Sequence, residues 1–142
     1  MSPQETLPLW IQLFIQDENI KIYYINLNNI LGILINKNIW VNTNLHLYKK
    51  RFVIVHELAH YIFWWNSDLV WVPLWRNCHE KLADDFALDI LLPREKLIKA
   101  CEEYNWDSTI LESIFGVDRK LIEKRVKKLF FNNDCCENCN LL

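Results

Sequence analysis

The stretch Arg51 to Trp65, RFVIVHELAHYIFWW, sets His56, Glu57 and His60 into a run that is otherwise almost wholly apolar. Its apolar spacing predicts a helix over about residues 50–65. On a helix, residues four apart lie one turn above each other, so His56 and His60 share a face and can offer two nitrogens to one ion. Glu57 is one residue on, which sets it beside that ion, where it can hold a water and take its proton. The pattern is HExxH, half of a zinc site together with its base. Left in an apolar helix without such a purpose, the two imidazoles and the carboxylate would each need a partner to offset burial.

A catalytic zinc has three protein ligands and an open position. Position 66, where a further His would extend the motif, is Asn66. Asn77 to Pro93, NCHEKLADDFALDILLP, supplies a better candidate. Leu82, Ala83, Phe86, Ala87, Ile90 and Leu91 form a helical apolar stripe there, with Glu80 at its start and Asp84 one turn on. Such a pair lets Glu80 bind metal while Asp84 accepts the free N–H of a ligand imidazole. Cys78 and His79 are adjacent rivals, and Asn77 with Glu80 also fits a helix-capping pair.

Working outward, 142 residues, 51% of them hydrophobic and seven of them Trp, fit one domain with a substantial core. A formal net charge of −2 gives no bias towards polyanions, so nucleic acid is not the expected partner. The apolar stretch Leu7 to Ile15 lacks a basic flank and runs into Asp17 and Glu18, which fails as a signal peptide. No segment reaches the ~20 apolar residues of a membrane span. A cytoplasmic protein without membrane attachment is expected. Its five cysteines, at 78, 101, 135, 136 and 139, then fit reduced thiols better than a disulfide framework.

Leu7 to Gln16 reads as a short, mostly buried helix. Residues 20 to 42 carry three bursts of β-branched and alternating residues, IKIYYI, ILGILI and IWVN, separated by Asn-rich turns, and predict a small antiparallel sheet. IWVN, just before the motif helix, either offers an edge to an extended substrate or is an interior strand with no exposed edge. Further helices are expected near 78–92, 94–104, 108–115 and 119–130, with Pro93 in a first turn, Asp107 and Asp118 as N-caps and Gly116 at a C-terminus. The expected architecture is one α+β domain over residues 1–134, with a three-stranded antiparallel sheet packed on a mainly helical core. A Trp-rich loop at 64–75 and a flexible cysteine-bearing tail at 135–142 complete it.

Two separated blocks of this chain resemble the ImmA/IrrE metallopeptidases. The first is Arg51-Phe52 followed by His56-Glu57-Leu58-Ala59-His60, where the family carries a basic residue, Phe and HELGH. The second is Glu80, Ala83, Asp84, Phe86-Ala87 and Leu91-Leu92-Pro93, matching E-x-x-A-(N/D)-x-F-A and L-L-x-P. The resemblance extends more loosely over residues 20 to 130. Departures are Ala59 for Gly and Asp118 for Ser, both conservative in role. The resemblance implies a zincin-like core and a gluzincin-like zinc endopeptidase, with Zn2+ held by His56, His60 and Glu80 and with Glu57 as general base. It also implies a protein substrate, a helix-turn-helix repressor of a mobile element or stress regulon, so that the enzyme acts as an anti-repressor.

A developing oxyanion needs a donor beyond the metal, and His46, Tyr48, Arg51 and Arg76 are the polar residues that come into question. Residues of about 106–130 resemble a helix-turn-helix, with Arg119, Lys120, Lys124, Arg125, Lys127 and Lys128 on its second helix. The rival function is therefore a DNA-binding or protein-binding regulator that keeps zinc without proteolysis. Basic residues late in a helix also complement its dipole and solvate its outer face. Cys136 and Cys139 have CxxC spacing, which makes a metal site only with ligands from elsewhere, such as Cys78 or Cys101.

Overall fold

The motif helix, α2, runs Leu47–Trp64. It begins earlier than its periodicity suggests because His46 caps it, Nδ1 accepting the Tyr48 N–H at 3.3 Å. A first-turn amide is thereby satisfied. The computed structural model describes residues 2–64 and 73–131, so most of the Trp-rich loop and all of the cysteine-bearing tail lie outside the described residues. Two compact units result, Met1–Leu91 and Leu92–Leu142.

In the first unit a 3-10 turn, Pro3–Thr6, leads into α1, Leu9–Asp17. Leu7 and Ile11 are its buried anchors. Two polar ties fix this segment to α2. The Arg51 guanidinium donates to the Thr6 carbonyl at 3.0 Å, and the Tyr61 hydroxyl donates to the Glu18 carboxylate at 2.6 Å.

Three strands follow: β1, Lys21–Ile25; β2, Gly32–Ile35; and β3, Asn38–Asn42. The fold is α+β as expected, but the sheet is mixed rather than antiparallel. Its order is β1-β3-β2, with β3 parallel to β1 and antiparallel to β2. Loop length explains the difference. Residues 36 and 37 close a tight β2–β3 hairpin, in which Asn36 accepts a positive φ of 54°. The loop from β1 to β2 is long enough to skip one strand position, about 10 Å at ordinary strand spacing, and β3 fills the gap. IWVN is thus the central strand and has no free edge, which selects the interior-strand reading over that of a substrate edge. The open edge beside it belongs to β2.

The sheet lays Ile39 and Val41 against α2, which contributes Ile54, Val55 and Leu58, all inaccessible to solvent. Asn42 ends β3 buried, and its Nδ2 donates to the carbonyls of Asn28 and Ile30 at 2.9 and 3.0 Å. That holds the loop feeding β2.

The next helix, α3, spans Pro73–Leu91. It starts earlier than the apolar stripe alone predicts, with Pro73 in the first position that proline favours. Asn77 is therefore inside the helix and cannot be its N-cap, which removes the capping explanation for Glu80. The second unit holds α4, Arg94–Glu103; α5, Ser108–Phe115; and α6, Arg119–Phe131. The Asp107 carboxylate accepts from the Thr109 and Ile110 amides, Gly116 turns left-handed at φ 60°, and Asp118 accepts from the Lys120 amide. These are the caps the sequence marks.

Candidate metal centre

Two facing helix stripes build the site. On α2, His56, Ala59, His60 and Phe63 follow the three-four spacing of one face, and on α3 Glu80, Ala83, Asp84 and Ala87 do the same. Ala59, Ala83 and Ala87 are fully buried, and their small side chains let the helices approach. The polar residues then meet. His56 Nε2 stands 3.0 Å from Glu80 Oε2, His60 Nε2 stands 3.2 Å from Glu80 Oε1, and the two Nε2 atoms are 3.1 Å apart. At the other end of the His56 ring, Nδ1 donates to Asp84 Oδ1 at 2.8 Å.

His56, His60 and Glu80 form a group whose ligand atoms all lie within 4.8 Å of one another. Around a tetrahedral ion with bonds of about 2.0–2.1 Å, neighbouring donors stand about 3.3 Å apart. The observed separations of 3.0 to 3.2 Å match that figure closely. The donor set, two imidazole nitrogens and a carboxylate, is one that zinc takes. The residues present therefore fit a zinc ion.

Electrostatics describe the same cluster in its metal-free form. Burial disfavours protonation of His56, but the carboxylates of Asp84 and Glu80 outweigh it and push the pKa up to about 9. Hydrogen bonds from His56 and His60 hold the Glu80 carboxyl well below the usual carboxylate range. The Glu80 side chain is 52% exposed while those of His56 and His60 are 14% and 17% exposed, so the cluster opens to solvent on its carboxylate side. His79 is buried, with its pKa lowered first by that burial and then by nearby His60. Cys78, the other rival for the third position, is half-buried and is outside the ligand group.

Glu57 occupies a different face of α2, one turn after Val53 and against β2. Its carboxyl is buried, and burial raises its pKa, opposed by His56 and His60. The backbone amide of Leu34 also favours the ionised form. That amide belongs to the sheet edge. The two-residue hairpin makes Ile35 and Asn38 a hydrogen-bonded pair, so Ile33 also bonds β3 while Gly32 and Leu34 turn their backbone groups outward. The bond from the Asn42 amide to the Leu31 carbonyl, 2.9 Å, continues this alternation.

Three of the four residues considered as oxyanion donors have described side chains, and these three stand away from the cluster. His46 caps α2, Arg51 is engaged with Thr6, and Tyr48 lies about 12 Å before His56 along the helix axis. The side chain of Arg76 lies outside the described ones. Sequence reasoning missed Gly32 and Asn42. The chain has only two glycines, so one in the middle of an apolar strand is a signal of close approach.

Two helices thus bring His56, His60 and Glu80 into a group that could hold a metal ion, with the buried Glu57 carboxylate beside it. A model of the IrrE N-terminal-like domain matches residues 11–127, and the chain belongs to this family of peptidases of the zinc type. Among solved structures, a Mycobacterium tuberculosis transcriptional regulator is similar with a TM-score of 0.66 at 19% identity. The match covers 82% of this chain and 39% of that one. It shows a shared fold, and this chain spans less than half of that regulator. No curated protein matches significantly. Among the described residues, no helix is long and apolar enough to cross a membrane.

Proposed function

We propose that the protein is a zinc-dependent endopeptidase that acts in the cytoplasm on a helix-turn-helix repressor. The observation that carries the reading is the convergence of His56, His60 and Glu80 within hydrogen-bonding distance of one another, with Asp84 behind His56 and Glu57 beside it. A zinc ion held there supplies Lewis acidity towards water and a peptide carbonyl. Asp84 fixes the His56 ring so that Nε2 carries the lone pair aimed at the cluster. Glu57, with a proton affinity raised by burial, is suited to take a proton from the attacking water and pass it to the leaving amine. An extended substrate segment can pair along this strand edge through the Gly32 backbone groups and the Leu34 carbonyl, while the Leu34 amide is held by Glu57.

The choice of repressor as substrate rests on the resemblance of the two sequence blocks, and the regulator among the structural neighbours is in keeping with a regulatory setting. The test is incubation of the zinc-loaded protein with a purified helix-turn-helix repressor encoded beside it. Cutting by wild type and none by Glu57→Gln, with zinc content equal, supports the reading; equal cutting by both sinks it.

One observation favours the rival, a DNA-binding regulator. After the left-handed turn at Gly116, α6 exposes Arg119, Lys120, Lys124 and Lys127. Against it stand the net charge of −2 and the capture of Arg119 by Glu112 at 3.7 Å. A gel shift on operator DNA that survives Glu57→Gln, without any cutting, would favour the rival.

A further inference from the structure

We infer that Gly32 is a positioning residue for Glu57: its bare Cα lets the edge strand β2 lie directly on α2, so that strand edge and carboxylate share one cleft. The use made of that cleft rests on the endopeptidase reading; the juxtaposition does not.

Glycine in a strand weakens it, and the common excuse is a backbone angle that other residues avoid. That excuse fails here, because Gly32 is not among the residues with positive φ, and Gly116 is the glycine that needs one. Space is what remains. A Cβ built on Gly32 would collide with Val53 Cγ1, and it would stand 3.2 Å from the Trp40 carbonyl oxygen and 3.5 Å from Glu57 Cγ. The first contact is impossible, the second is tight enough that the Trp40 backbone would have to give by a few tenths of an ångström, and the third is ordinary van der Waals contact. Val53 is 3% exposed, and a β-branched side chain in a helix has essentially one rotamer, so it cannot turn away. An added methyl must therefore lift β2 from α2.

Val53 and Glu57 are one helical turn apart, so lifting the strand from the first also lifts it from the second. Gly32 and Leu34 present their backbone groups along the same open edge, and both leave together. The missing methyl thus sets how near the edge comes to the carboxyl group.

A second-site experiment tests this, because Val53→Ala removes Cγ1, the atom of the severe clash, and leaves the tight but yielding approach to the Trp40 carbonyl. Gly32→Ala, Val53→Ala and the double variant are compared by two measurements. The first is the change in the Leu34 amide resonance, in 1H–15N spectra, on introducing Glu57→Gln into each background. The second is cleavage of a quenched-fluorescent random octapeptide library by the zinc-loaded proteins. The Leu34 response should be present in wild type, lost in Gly32→Ala and regained in the double variant. Cleavage should fall by about a hundredfold in Gly32→Ala, the usual scale for a misplacement near 1 Å, and return in the double variant towards the Val53→Ala rate.

A purely structural glycine would instead lose stability in Gly32→Ala and regain it in the double variant, where the new methyl fills the space of the lost one, while the Leu34 response to Glu57→Gln stayed unchanged in every folded variant. If Gly32→Ala alone does not fold, folding and cleavage recovered together in the double variant support the same contact; a double variant that folds without cleaving overturns it. A wild-type Leu34 resonance that ignores Glu57→Gln, or a Gly32→Ala protein with full response and rate, also overturns it. Should no protein cleave the library while the resonance pattern holds, the endopeptidase reading falls and the positioning role stands.

Discussion

Asp84 Oδ1 lies 2.8 Å from His56 Nδ1, while Glu80, one turn earlier on the same helix, meets the other nitrogen of that ring at 3.0 Å. One helix therefore holds one imidazole at both ends. Asp84→Asn preserves the shape of the contact but removes its charge, and Asp84→Ala removes both. Metal affinity should fall by about 10–100-fold in Asp84→Ala and less in Asp84→Asn, as for other carboxylates behind metal-bound imidazoles. Competition with a chelator of known affinity measures it. Unchanged affinity in both variants would show that Asp84 does not support the ligand.

Glu80 is predicted to be indispensable for loading. Wild type purified without added metal should carry one zinc per chain by mass spectrometry, Glu80→Ala much less, and a form ending at Asn133 as much as wild type. Zinc should also raise the melting temperature of wild type, by mass action worth about 4 kcal/mol at a thousandfold excess over Kd. Zinc lost with the tail alone would place the metal elsewhere.

The metal-free protein should have a distinctive pH profile. The His56 pKa is raised from 6.5 to about 9 in the fold, so its contribution to stability is complete below about 6.5 and is lost as pH rises through 9. The upper bound is about 3 kcal/mol, and screening at half-exposed Glu80 makes the real figure smaller. The lowered Glu80 carboxyl acts in the other direction, its contribution present above the ordinary carboxylate range and lost in acid. Both shifts express the same ion pair and do not add. Zinc displaces the His56 proton, so its affinity should rise by about tenfold per pH unit up to 9. Melting curves of chelator-treated protein between pH 6 and 9 check this; a flat profile would mean that the carboxylates do not hold a His56 proton.

Asn42 is expected to matter for stability without contacting metal. Asn42→Ala removes two side-chain donors from the carbonyls of Asn28 and Ile30 and an acceptor from the Asn44 amide. The cost should be about 1–3 kcal/mol, the penalty for unpaired buried polar groups. Urea denaturation should record that loss with zinc binding retained. Loss of zinc in this variant would indicate that the loop before β2 braces the cluster as well.

What the sequence discloses follows from how local each feature is. His56, His60, Glu80 and Asp84 were legible because helical spacing alone decides which side chains share a face. The caps at Asp107, Gly116 and Asp118 were legible for the same reason. Strand order was not, because alternation in IKIYYI, ILGILI and IWVN tells which face each residue takes but nothing of which strand lies beside which. A six-residue loop and a two-residue turn decided that. The true start of α3 was hidden because Pro73 sits in a Trp-rich stretch without clear period. His46 and Arg51 looked like free polar groups until the cap and the Thr6 carbonyl accounted for them.

The order of these parts along the chain has a consequence of its own. Every atom of the His–His–Glu cluster and its supporting aspartate comes from the stretch between His56 and Asp84, whereas the strand edge in front of it is laid down earlier, in Gly32–Ile35. On the proposed endopeptidase reading, chemistry and recognition are thus written in separate passages of the gene. Substitutions, or a borrowed hairpin, in the earlier passage can redirect such a protein to a new target while the later passage is inherited untouched.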